Sequence, residues 1–165
     1  MSGSEAEWGT KLARAIHFDE SDSRVYPNPA RTGEWCIAGT FEFSDWMEAD
    51  LVGRARQAFS NGWLGLETFG RATLVAVARV EPREVEALEA ALARHFVDLH
   101  GAPSEAAALP VARSEIAAMA DLCGPLDPNT VLMVARELTE AGVRESVRIV
   151  AARDADLAQI AVHGD

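Results

Sequence analysis

The sequence predicts an α+β domain, with a mostly antiparallel sheet of about five strands and helices packed on one face. Three observations carry that prediction. Thr73 to Val80 (TLVAVARV) is apolar on both sides of a period-2 pattern except at Arg79, as expected of a strand covered on both faces. Strand-like segments gather at the two ends of the chain with helix-like segments between them, which favours an antiparallel sheet over a doubly wound one. The stretches after Pro82 and Ser104 have apolar residues at helical spacing and end at Gly-Pro signals.

In chain order, residues 1–10 read as a disordered tail, 11–152 as one domain and 153–165 as a tail or short docking element. Lys11 to Phe18 is the first expected strand, and Arg24 to Pro27 a short edge strand. Glu34 to Phe43 alternates, with Trp35, Ile37, Phe41 and Phe43 on one side, and is expected to be a strand throughout. Ser44 or Asp45 then caps a helix, Glu48 completing the capping-box spacing, with Met47, Leu51, Ala55, Ala58 and Phe59 inward and Asn61-Gly62 as the stop.

The segment Asn61 to Ala72 is too apolar for a solvated loop. Gly62, Gly65 and Gly70 within it call for positive φ, a bulge or close backbone approach. After the central strand, Pro82 fits the first helical position, and Val85, Leu88, Leu92, Phe96 and Leu99 form a core-facing stripe. Ser104 opens a second helix with Ile116, Met119, Leu122 and Cys123 inward, which Pro110 should kink or divide. Thr130–Leu138 and Val143–Val150 form a hairpin around Glu140-Ala141-Gly142.

Composition excludes several functions. The net charge of −11 leaves no basic footprint for nucleic acid or an anionic membrane surface. No apolar run is long enough to span a bilayer, and the first residues lack the charge and apolar pattern of a signal peptide, so a cytoplasmic protein is expected. Two cysteines, Cys36 and Cys123, form neither a disulfide framework nor a C-x-x-C site and read as buried thiols.

No catalytic signature is present. The glycines fit no phosphate-binding motif, and Ser60 sits in no nucleophile elbow. Of four histidines, His95 and His100 lie five apart, about 140° around an ideal helix, which argues against a paired metal site. No metal or cofactor is therefore expected. The candidate ligand-binding residues are Trp63, Glu67, Phe69 and Arg71, where polar groups interrupt an aromatic, glycine-rich stretch. An ordinary ion pair at a sheet edge accounts for Glu67 and Arg71 equally well.

The segments GEWCIAGTFEF and AFSNGWLGLETFGRATLVAV resemble those of a small uncharacterised proteobacterial family of unknown function, over roughly residues 11–150. The resemblance supplies no catalytic residue and implies an accessory role. Together these readings favour a non-enzymatic interaction or assembly module, engaging a protein partner or forming a homo-oligomer. The alternative is a small-molecule-binding protein or enzyme with a pocket near 61–71.

Overall fold

The computed structural model describes residues 10–17 and 26–150. Its elements are β1 (Thr10–Ile16), β2 (Trp35–Ile37), α1 (Gly53–Asn61), β3 (Trp63–Gly65), β4 (Arg71–Ala72), β5 (Leu74–Val80), α2 (Pro82–Leu99), α3 (Glu105–Cys123), β6 (Val131–Thr139) and β7 (Gly142–Val150). The strands form a single antiparallel sheet in the order β4-β3-β2-β1-β5-β6-β7. The fold is α+β, with seven strands among the described residues rather than about five. The additional strands are β3 and β4, both from the 61–72 segment that sequence read only as packed against the core.

β5 lies inside the sheet between β1 and β6, but the expected burial on both sides is only partly met: Val75, Val77 and Val80 are buried, whereas Leu74, Ala76 and Ala78 are partly exposed and Arg79 is exposed. Val75 and Val77 are fully buried against β1 and β6, whose Ala13, Ala15, Leu132 and Val134 are equally buried. Only Thr73 separates β4 from β5. The first piece pairs with β3 and the second with β1 and β6, so one bent strand touches both ends of the β3-β2-β1 set and curls the sheet. The curl brings distant strands together: the Trp63 indole N–H donates to the Leu132 carbonyl at 3.2 Å.

α2 and α3 form an antiparallel pair, stitched by Arg94–Glu105 and Arg113–Glu89 at 3.6 and 3.7 Å. Pro82 starts α2, and the Ser104 hydroxyl caps α3 by accepting from the Ala107 N–H. α3 packs on β1 and β2 through a face containing Ala112, Ile116 and Cys123. Fully burying one such isoleucine stabilises the fold by about 1.5–3 kcal/mol. Among the described residues, no helix is long and apolar enough to cross a membrane.

Several local expectations are corrected. The strand from Glu34 is confined to Trp35–Ile37. Gly39 turns the chain with φ +69°, and a Cβ there would overlap the Leu64 side chain. Thr40–Phe43 then winds into a 3₁₀ turn. Neither Ser44 nor Asp45 starts a helix; Ser44 instead closes the Thr40–Phe43 turn, its N–H donating to the Phe41 carbonyl. A second 3₁₀ turn, Glu48–Asp50, intervenes, where Asp50 accepts from the Met47 N–H at 2.8 Å, and α1 begins only at Gly53.

Met47, expected to face inward, is 71% exposed, and Leu99, at the end of the α2 stripe, is 70% exposed. α3 runs unbroken through Pro110, whose missing N–H removes only the bond to the Ala106 carbonyl early in the helix. The β6–β7 loop contains two residues, Glu140 and Ala141; Gly142 already pairs with Thr139. Tyr26 and Pro27 lie in no strand. Thr10, expected in the N-terminal tail, begins β1, whereas Arg24, Val25, the rest of that tail (1–9) and the expected C-terminal segment 153–165 lie outside the described residues.

Candidate functional site

The β3–β4 hairpin is built around a buried carboxylate. Glu34 accepts hydrogen bonds from the backbone N–H groups of Arg31 (2.6 Å), Glu67 (2.8 Å) and Thr68 (2.8 Å) and from the Thr68 hydroxyl (2.7 Å). Gly65 is required beside it, since a Cβ would overlap the Glu34 carboxylate. The Thr68 hydroxyl also accepts from the Gly70 N–H at 3.0 Å. This clamp holds Phe69 at φ +56°, a costly conformation for a bulky residue. Its ring lies flat on His95 of α2, with centroids 4.0 Å apart and planes within 2°.

Arg71 leaves the same hairpin in the opposite sense and is buried. Its guanidinium donates to the carbonyls of Ala38 (3.2 Å), Gly62 (3.0 Å) and Gly39 (3.0 Å) and to Glu42 Oε1 (2.7 Å). Arg136 from β6 approaches from the other side. It donates to the carbonyls of Ala38, Phe59 and Gly62 and to the Thr40 hydroxyl. Both cations rest on the Phe43 ring, at 4.5 and 5.2 Å from its centroid.

Burial pulls the Arg71 pKa down, against the opposing pull of Glu42. Burial and the neighbouring Arg71 charge bring Arg136 down to about 10, so it still carries its proton at neutral pH.

Glu42 joins this arginine pair to α2. Its Oε2 lies 2.7 Å from His95 Nε2 and 3.0 Å from His100 Nε2. Burial alone would raise the carboxyl, but the His95 hydrogen bond and the Arg71 charge outweigh it and hold the group at about 2. The ideal-helix argument that separated the two histidines fails because α2 ends at Leu99. His100 has φ −124° and ψ 15°, and its ring swings back to 5.1 Å from that of His95. Phe41 meets His100 edge-on at 5.6 Å.

A cavity of about 450 Å³ opens beside this cluster. Its wall combines apolar groups, Phe43, Trp46, Phe69 and Leu99, with the polar atoms of Glu42, Arg71 and His100. Among the sequence-predicted residues, the fold thus brings Phe69 and Arg71 together on one cavity. Trp63 is buried in the core, with its N–H held by Leu132. Glu67 points outward and pairs with Arg31 at 2.9 Å rather than with Arg71.

Sequence reasoning missed Glu34, Glu42 and the convergence of His95 with His100. The one signal that could have found Glu42 is Gly39, which interrupts the strand pattern just before it. Both cysteines are buried thiols, and neither lines the cavity. Burial, followed by the Glu34 charge, raises Cys36 far above its usual range, and burial raises Cys123 to about 11.

No curated protein and no solved structure matches the chain significantly. Residues 10–165 match the model of a family described as a family of unknown function, DUF6505, and with that span the chain belongs to it.

Proposed function

We propose that the protein binds a small molecule with an aromatic or branched apolar body and one polar end. The observation carrying this reading is that Phe69 and Arg71, from one short hairpin, meet Glu42 and His100 on a single cavity of about 450 Å³. That volume falls in the range of ligand sites, and a mostly apolar wall with a few convergent polar groups is their usual composition. The site is also prepared in advance. Glu34 fixes the loop, and Arg71 makes four hydrogen bonds before any ligand arrives. Another cavity of about 450 Å³, near Glu48, Arg56 and Glu137, is lined mainly by charged and polar residues and favours binding less.

Trp46 provides the readout. Chelator-treated protein is titrated separately with phenol, benzoate and benzylamine, three aromatic probes of different charge, while its tryptophan fluorescence is followed. Saturable quenching is expected with at least one probe, absent in Trp46→Phe and about tenfold weaker in Phe69→Ala, the loss of one aromatic contact. Equal binding by wild type and Phe69→Ala, or no saturable response to any probe, sinks the reading.

A second reading, an assembly module, is favoured by β7. Among the described residues no strand pairs with the outer edge of this nine-residue strand, and it carries the half-exposed Ile149. Pairing with a second copy would complete its edge hydrogen bonds. A mass in solution equal to one chain at all concentrations counts against self-pairing.

A further inference from the structure

Three potential metal ligands converge where the cavity meets α2. Glu42 offers a carboxylate oxygen, and His95 and His100 each offer Nε2. These atoms all lie within 4.8 Å of one another, and the two contacts to Glu42 Oε2 are 2.7 and 3.0 Å. Ligand bonds of about 2.0–2.2 Å around one cation place donor atoms about 3–4 Å apart. The two contacts to Glu42 sit at or just below the short end of that range, and the partly exposed His100 side chain can supply the small adjustment.

The surroundings orient each ligand. Arg71 occupies Oε1 of Glu42 at 2.7 Å and leaves Oε2 turned toward the histidines. The Phe69 ring fixes the plane of His95, and Phe41 meets His100 edge-on. Such outer contacts set ligand orientation in metal sites, and hydrogen bonding of the ligating carboxylate is one of their regular features.

We propose that Glu42, His95 and His100 form a binding site for a divalent first-row transition metal ion, zinc foremost. Two imidazoles and one carboxylate suit zinc or ferrous iron and disfavour calcium and magnesium, which take oxygen ligands. Three protein ligands leave a coordination position open. Glu42 and His100 both line the cavity, so the open position faces it. The site does not depend on the small-molecule reading, although a ligand in the cavity would lie within reach of the ion.

The test uses full-length protein freed of any affinity tag and stripped with chelator. It is titrated with zinc chloride by calorimetry and with cobalt chloride by visible absorption, with no organic ligand present. One ion per chain is expected. Glu42→Gln and His100→Ala should each weaken binding by more than about 100-fold, beyond the 10–100-fold typical of losing an outer partner. Phe69→Ala, which touches only His95, should lose about tenfold.

His17→Asn and His163→Asn should leave binding unchanged. His100 is partly exposed, and its variant is checked by its melting temperature, so a folded His100→Ala protein carries the decision. Binding of equal strength in wild type and folded His100→Ala overturns the proposal, as does the absence of binding by wild type. Because the aromatic probes are tested on metal-free protein, either reading can fail without the other.

Discussion

One short hairpin presents two ion pairs that differ in almost every physical respect. Arg71–Glu42 is buried, with side-chain exposures of 6% and 19%. Arg31–Glu67 is open to solvent, at 71% and 62%. Their closest distances are nearly the same, 2.7 and 2.9 Å. Distance therefore says little about weight. The exposed pair exchanges hydration for a screened contact and gains about 0–1 kcal/mol. The buried pair has given up most of its water, so Arg71 depends on Glu42 and on the carbonyls of Ala38, Gly39 and Gly62.

The largest expected effect comes from breaking the buried pair. Arg71→Ala should cost about 3–5 kcal/mol in urea unfolding, because it removes the cation paired with the Glu42 carboxylate and one donor from each of the Ala38, Gly39 and Gly62 carbonyls. A double-mutant cycle sharpens the point. The Arg71/Glu42 coupling should exceed that of Arg31/Glu67, expected at about 0.2–1 kcal/mol. Equal couplings would show that burial does not distinguish the two pairs.

Acid should separate the pairs as well. The Glu42 carboxyl sits at about 2 in the fold, below its ordinary value of 4.5. A depressed folded pKa contributes stability that is complete above the unfolded value and fades as pH falls through the folded one. Chelated wild type should therefore lose stability between about pH 4.5 and 2, more steeply than Glu42→Gln. Parallel acid limbs would assign that loss to other carboxylates.

The exposed and buried pairs also mark what sequence can convey. β5, the Pro82 start of α2, the Ser104 cap of α3 and the β6–β7 hairpin are written locally, in alternation, spacing and capping residues. They appear in the fold with boundary shifts of a residue or two. Glu67 and Arg71 looked like partners because they are close in sequence. Arg71 instead pairs with Glu42, 29 residues away, and Glu42 reaches His95 across 53. Those distances close only after the sheet has curled and the chain has turned at Gly39.

Phe41 and Phe43 alternate as strand residues do, yet the left-handed Gly39 places them in a 3₁₀ turn. Helix periodicity likewise misplaced His100, since the angle applies only while the helix continues. Local codes gave the elements, whereas the site is made where elements end.

Between the two ion pairs stands Glu34, which ties down the loop bearing Glu67 while remaining buried. Glu34→Ala should cost about 1.5–3 kcal/mol, the range for hydrogen bonds to a charged group. It should also release Phe69 from His95, lowering probe affinity at the cavity. Gly65→Ala attacks the same clamp from the other side, by displacing the carboxylate, and should cost about 1–3 kcal/mol. If stability falls but Phe69-dependent binding survives in both variants, the loop is positioned by the Phe69–His95 stack rather than by Glu34.

The smallest effect belongs to the pair that sequence alone would have chosen. Glu67→Ala should change unfolding free energy by less than about 0.5 kcal/mol, and that change should shrink further in 1 M salt. The Glu67 side chain makes its recorded contact with Arg31, while its backbone N–H serves the Glu34 clamp. Truncation removes the first and keeps the second. Probe and metal binding should therefore stay at wild-type levels in Glu67→Ala. A loss of either would place the Glu67 carboxylate at the cavity, and would make the exposed pair part of the site rather than a solvated neighbour of it.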